Sequence, residues 1–162
     1  MKKQAIVIHL NPPERIMKNY KNKPKTHITL VYPFKVSNQK KLEEHIKKSI
    51  NQTLQFILMM KGLQKSTKEY YLYLLVKKGK EEIMDLYKKL NSGILSNFKN
   101  LDMPKYIPHV TLNVFKSKKE IDEAYNNPDL KNIKFMQRIN KIDLITLKED
   151  SSLGKIKSFK LK

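Results

Sequence analysis

A chain of 162 residues with a net charge of +19 and no cysteine is long enough to bury a core as one domain, and it excludes disulfides and thiolate metal sites. No apolar run approaches the roughly 20 residues that span a bilayer, and the opening Met1-Lys2-Lys3-Gln4 before Ala5 is too short to read as a signal peptide, so the expected setting is cytoplasmic. The positive excess is nearly all lysine, Arg15 and Arg138 being the arginines; it fits an anionic partner, RNA first, and equally a solvated lysine surface.

Residues 4–10 are apolar and β-leaning and predict a buried strand. Asn11-Pro12-Pro13-Glu14 breaks it, and the prolines suit the first turn of a short helix ending near Tyr20. A basic loop over 21–25 leads to a strand over 26–32 that Pro33 is expected to end. Asn38 follows Ser37 as a helix N-cap candidate, and Leu42, Ile46 and Ile50 recur on one helical face. Strands are expected over 53–61, with Leu54, Phe56, Leu58 and Met60 on one face, and over 70–76, around a polar turn.

The longest helical pattern runs over 80–98 through Ile83, Leu86, Tyr87, Leu90, Ile94 and Phe98, with Asn91-Ser92-Gly93 as a point where it can break. A loop over 99–108 precedes a strand beginning at His109. Ser117-Lys118-Lys119-Glu120 is a capping-box pattern for a helix closed by Asn127-Pro128. The tail predicts one strand over 134–147, a turn over 149–154 and a last strand over 155–161.

Two stretches stand out: His27-Ile28-Thr29-Leu30 and His109-Val110-Thr111-Leu112, one in each half of the chain. In a strand, alternate side chains share a face. His27 and Thr29 therefore project together while Ile28 and Leu30 enter a core, and His109 with Thr111 repeats the arrangement. The order of elements around each motif is similar too. This predicts an α+β fold: a single domain over 1–162, bilobal and pseudo-twofold, with lobes of about 1–77 and 78–162. Two antiparallel-rich sheets, with helices outside, would flank a central cleft.

Two imidazoles opposed across a phosphate form a general acid–base set, one taking the proton of the nucleophile and the other protonating the leaving oxygen. The unperturbed histidine pKa, about 6.5, suits both tasks. A threonine hydroxyl on each face can donate to a non-bridging oxygen and hold the charge that grows there. No acidic cluster accompanies the motifs, so neither metal nor cofactor is expected. Tyr32 and Tyr106 lie near the motifs and are candidates for stacking on a base; Lys25 and Lys105 are candidates to draw phosphate in. His9 and His45 have no threonine two residues on and read as structural.

The paired motif, with Pro108 before the second copy, resembles that of the 2H phosphoesterase superfamily, which includes the 2′-5′ RNA ligase proteins and cyclic phosphodiesterases. The resemblance covers about 3–161. It implies a bilobal duplicated fold, His27 and His109 as acid and base, and Thr29 and Thr111 as phosphate holders. It also implies metal-free opening of 2′,3′-cyclic phosphates or cleavage of 2′-5′ linkages in RNA or nucleotides. Where many ligase-type relatives carry an arginine after the second motif, this chain has Asn113-Val114-Phe115; a lysine lacks the bidentate fork that an arginine would bring. The alternatives are a 2′-5′ RNA ligase, or a non-catalytic RNA-binding module with a basic cleft. No protein partner or membrane contact is implied, and the chain reads as a monomer.

Overall fold

The computed structural model describes residues 1–14, 26–66, 68–98 and 105–162. Eight strands form two four-stranded sheets. The first holds β1 (Lys3–His9), β2 (His27–Phe34), β7 (Lys141–Leu147) and β8 (Leu153–Lys160) in the order β2-β1-β7-β8. The second holds β3 (Phe56–Lys65), β4 (Tyr71–Lys78), β5 (His109–Val114) and β6 (Lys134–Ile139) in the order β5-β4-β3-β6. All the pairings are antiparallel. The continuous apolar run of β1 is explained by its place between β2 and β7. Ile6 and Ile8 face the main core, while Ala5 and Val7 meet Ile145 on the other side.

Among the described residues four α-helices accompany the sheets: α1 (Gln39–Ile50), α2 (Lys80–Leu90), α3 (Lys118–Asn126) and the short α4 (Pro128–Lys131). The Asn38 side chain caps α1 by accepting from the Lys41 N–H at 3.0 Å, which satisfies one of the donors a helix start leaves open. The side chain of Ser117 accepts from Glu120 N–H at the start of α3, and Glu120 reaches back to the Lys116 N–H at 3.0 Å. The expected α+β class, with antiparallel sheets and outer helices, is what the chain forms.

Several expected boundaries move, each for a physical reason. Pro33 does not end β2, which continues to the buried Phe34. β2 is a sheet edge, where a residue without an N–H leaves no ladder bond unmade. Leu54, expected on one strand face with Phe56, Leu58 and Met60, precedes β3 and is 65% exposed.

The helix expected over 80–98 stops at Leu90. The buried side-chain amide of Asn91 donates to the carbonyls of Leu30 on β2 and of Tyr87, both at 2.8 Å. Gly93 then turns with a φ of +54° and opens a 3-10 helix, Gly93–Phe98. The run over 134–147 is two strands, not one. The chain changes sheets at Asn140, where β6 leaves β3 and β7 joins β1, and the Asn140 carbonyl accepts from the Leu161 N–H at 2.8 Å.

The first sheet draws on both ends of the chain and the second on its middle, 56–139, so the sheets do not divide it near residue 77. What they share is their edge. Each begins with the strand carrying a His-x-Thr pair, and beside it lies the strand that precedes it in the chain. The short helix and basic loop expected between Pro12 and Lys25 fall largely outside the described residues, as does much of the loop over 99–108.

Candidate active site

The apolar residues of each motif are what aim its polar ones. Ile28, Leu30 and Val110 are fully buried and Leu112 is 2% exposed, so His27 and Thr29 on β2, and His109 and Thr111 on β5, turn to the opposite faces of their strands. The edges β2 and β5 touch each other, which brings the two motifs to one side of the molecule.

A cleft of about 540 Å³ lies there. Thr29 and Tyr32 come to it from β2, and Lys105, Tyr106, His109 and Thr111 from β5 and the segment before it. Among the described residues, His27 is the one motif member outside this lining. It stands two residues along the same strand face, about 7 Å from Thr29 along the strand.

The second histidine is held by its own strand. His109 Nδ1 lies 2.7 Å from the Ile107 carbonyl. A carbonyl only accepts, so Nδ1 carries the proton and Nε2 is left as the atom that exchanges one. The His109 ring also packs edge-on to Tyr73, with centroids 5.3 Å apart.

The first histidine sits in different surroundings. His27 pairs across β1–β2 with His9, and their rings meet edge to face at 6.4 Å. The His9 Nδ1 donates in turn to the Asp143 carboxylate at 2.6 Å, and the other carboxylate oxygen accepts from the Ser158 hydroxyl at 2.5 Å. Burial works to raise the Asp143 pKa, but the hydrogen bonds from Ser158 and His9 outweigh it and hold it below the usual carboxylate value. His9 is thus structural in the expected sense, yet it touches a motif histidine. His45 is structural without qualification, its Nε2 bonded to the Leu90 carbonyl at 3.0 Å.

The two tyrosines singled out in the sequence differ. Tyr32 is half-buried at the cleft, its hydroxyl pKa raised by burial and by nearby Tyr87. Tyr106 is 7% exposed and lies flat on Tyr87, centroids 3.9 Å apart and planes 2° from parallel. Its hydroxyl donates to the Thr29 carbonyl at 2.7 Å, and burial pushes its pKa far up. One face of that ring is taken by packing, and the hydroxyl ties the segment before β5 to the backbone of the first motif. Lys105 lines the cleft as expected; Lys25 lies outside the described residues.

Sequence reasoning missed four further lining residues, Glu69, Tyr71, Tyr73 and Ile107. The signal was the alternation of β4, whose even residues Leu72, Leu74 and Val76 are buried while Tyr71 and Tyr73 are not. Only the pairing of β4 with β5 turns that face into part of the site. Among the described residues no three His, Cys, Asp or Glu side chains gather as metal ligands would. None of the described helices is long and apolar enough to cross a membrane.

Solved structures share this architecture. Escherichia coli LigT complexed with 3′-AMP aligns over 99% of this chain and 95% of its own, with a TM-score of 0.62 and 14% identity. TT0787 of Thermus thermophilus aligns over 99% of both chains at 0.60 and 14%. Kluyveromyces marxianus Usb1 aligns over 99% and 98% at 0.61 and 9%. The fold of two antiparallel sheets is therefore the one these structures share. The model of the 2′-5′ RNA ligase superfamily matches residues 7–150, and the chain belongs to that superfamily. No curated relative matches it.

Proposed function

We propose that the protein is a metal-independent phosphodiesterase that opens 2′,3′-cyclic phosphates or cleaves 2′-5′ linkages of RNA or nucleotides. One observation carries the reading: the two His-x-Thr pairs stand on touching edge strands, and Thr29, His109 and Thr111 line one cleft. Family membership and the structural likeness to LigT complexed with 3′-AMP support a nucleotide phosphate as the ligand.

The phosphate lies between the two threonine hydroxyls, which donate to its non-bridging oxygens. One histidine, neutral at the start, takes the proton of the attacking water as its oxygen bonds to phosphorus. The other, protonated at the start, gives its proton to the ribose oxygen as the phosphorus–oxygen bond breaks. Proton loads are exchanged at the end of a turnover and restored through solvent. The histidines trade roles when the reaction runs backwards. The hydroxyl donors stabilise charge on the phosphoryl oxygens without a metal.

The test is hydrolysis of a 2′,3′-cyclic nucleotide panel in EDTA by the wild type, His27→Ala and His109→Ala. Turnover that survives EDTA and vanishes in both variants supports the reading. Tight RNA binding indifferent to both substitutions, with no turnover, would decide for a binding module.

A further inference from the structure

The cleft serves an anion in a chain of +19 net charge, yet its lining includes one carboxylate, Glu69. The turn between β3 and β4 puts it there. Tyr70 takes a left-handed φ of +53°, a conformation that costs a residue with a Cβ and persists only when neighbours enforce it. They do: the Tyr70 carbonyl accepts from Phe115 N–H at 3.1 Å, and that of Tyr71 from Ser66 N–H at 2.8 Å. The Glu69 carboxylate acts on the Tyr71 hydroxyl and raises its pKa above the ordinary value, and a carboxylate has acceptor capacity for more than one donor.

A carboxylate beside the phosphate would repel it, so distance matters. Along the cleft face of β4, Leu75 pairs with His109, Tyr73 with Thr111 and Tyr71 with Val114. Each step of two residues within the strand is about 7 Å, so Tyr71 stands about 7 Å beyond the level of Thr111 along β4, and Glu69 precedes it in the turn while lining the same cleft. A phosphate held by the motifs therefore has its nucleoside lying along Tyr73 and Tyr71, with Glu69 at the far end.

We propose that Glu69 reads the base of the substrate and selects guanine. Guanine presents two adjacent N–H donors, N1–H and the exocyclic amine, that match the two oxygens of a carboxylate. Adenine and cytosine set one amine beside a ring acceptor that a carboxylate repels, and uracil flanks its one N–H with carbonyls. Tyr71 and Tyr73 form the wall along which the base lies, and Tyr71 orients the carboxylate. This assignment rests on the phosphodiesterase reading for its phosphate site.

The experiment compares kcat/KM for the four 2′,3′-cyclic nucleotides, and binding of the four nucleoside 3′-monophosphates, in the wild type, Glu69→Gln and Tyr71→Phe. The wild type should prefer the guanine substrate. Glu69→Gln should lower kcat/KM for it and affinity for 3′-GMP by about tenfold, the low end for a doubly hydrogen-bonded base because Glu69 is exposed. The other bases should lose less, so the preference collapses, and Tyr71→Phe should act in the same direction with a smaller loss. An unchanged ranking in Glu69→Gln overturns the assignment, as does an equal loss for all four bases, which would put the carboxylate on the sugar. If the wild type turns over none of the four, the binding arm still decides. A selective loss of 3′-GMP binding upholds the role of Glu69 while the cyclic-nucleotide part of the phosphodiesterase reading fails; no selective loss sinks the role of Glu69.

Discussion

The two His-x-Thr motifs are alike along the strand and unlike across it. On β5, His109 is fixed by a carbonyl two residues upstream and by the edge of Tyr73. On β2, His27 faces His9, which the buried Asp143 carboxylate on β7 holds, itself bonded by Ser158 on β8. Thr29 has its backbone carbonyl tied to Tyr106, whereas Thr111 is exposed. A strand's alternation repeats a pair of side chains as often as its sequence does, but the neighbouring strand supplies the environment. Here one motif is oriented by local backbone and the other by a buried polar chain reaching across its sheet.

Removing either imidazole should do the most damage to both motifs alike. His27→Ala and His109→Ala should each lower kcat by about a thousandfold, within the range for lost general acid or base catalysis. The double variant should be little worse than either single one, because the pair acts as a unit. Single-turnover rates on a cyclic nucleotide check this; an additive double loss would mean that the two histidines act independently.

Removing the hydroxyls should cost less. Thr29→Val and Thr111→Val keep the β-branched shape and each should reduce kcat by roughly a hundredfold, the low end for one lost oxyanion donor. Thermal unfolding midpoints should hardly move for Thr111→Val, since that side chain is exposed. A fall in affinity with unchanged kcat would assign the threonines to ground-state binding alone.

Asp143→Asn separates the two motifs, because Asp143 bonds His9, whose ring meets that of His27 in the first. It removes the acceptor of the His9 proton and weakens that of Ser158, and should destabilise the fold by about 1–3 kcal/mol in urea titrations. The pH dependence has a defined sign. The pKa of Asp143 is lower in the folded chain than its ordinary value, so its contribution to stability is complete above that ordinary value. It is lost as pH falls through the depressed one. Asp143→Asn should flatten that acid limb, and an acid limb identical to wild type would remove Asp143 from it.

The smallest effect is expected from Tyr106→Phe. It keeps the stack on Tyr87 and loses the hydrogen bond to the Thr29 carbonyl, a change of about 1 kcal/mol in stability. Activity should fall only a few-fold, through the position of Thr29.

Much of this site is legible before any coordinates. The burial of Ile28, Leu30, Val110 and Leu112 follows from alternation, and with it the outward aim of both His-x-Thr pairs. The helix at Gln39–Ile50 follows from its apolar spacing and its Asn38 cap. Other features were not decided by local pattern. The stretch over 134–147 shifts its apolar phase from Phe135 and Ile139 to Ile142 and Leu144 across Asn140-Lys141, but that shift does not say that the chain passes there from one sheet to the other. Asn91 reads as a weak helix residue, but what ends α2 there is a bond to Leu30, distant in sequence. His9 reads as the end of a strand, and its link to Asp143 depends on which strands flank β1.

The order of amino acids was enough to set which motif residues face outward and which face the core, because the period of a strand is a property of its own backbone. It was enough for the family as well, because the motif pair is written out twice in full. Three features came only with folding in three dimensions: the strand order that sets β2 and β5 edge to edge, the buried Asp143–His9 chain behind His27, and the Glu69–Tyr71–Tyr73 wall beside His109. Strand pairing is a contest among long-range contacts whose free energies no local pattern records, and those contacts place every one of these neighbours.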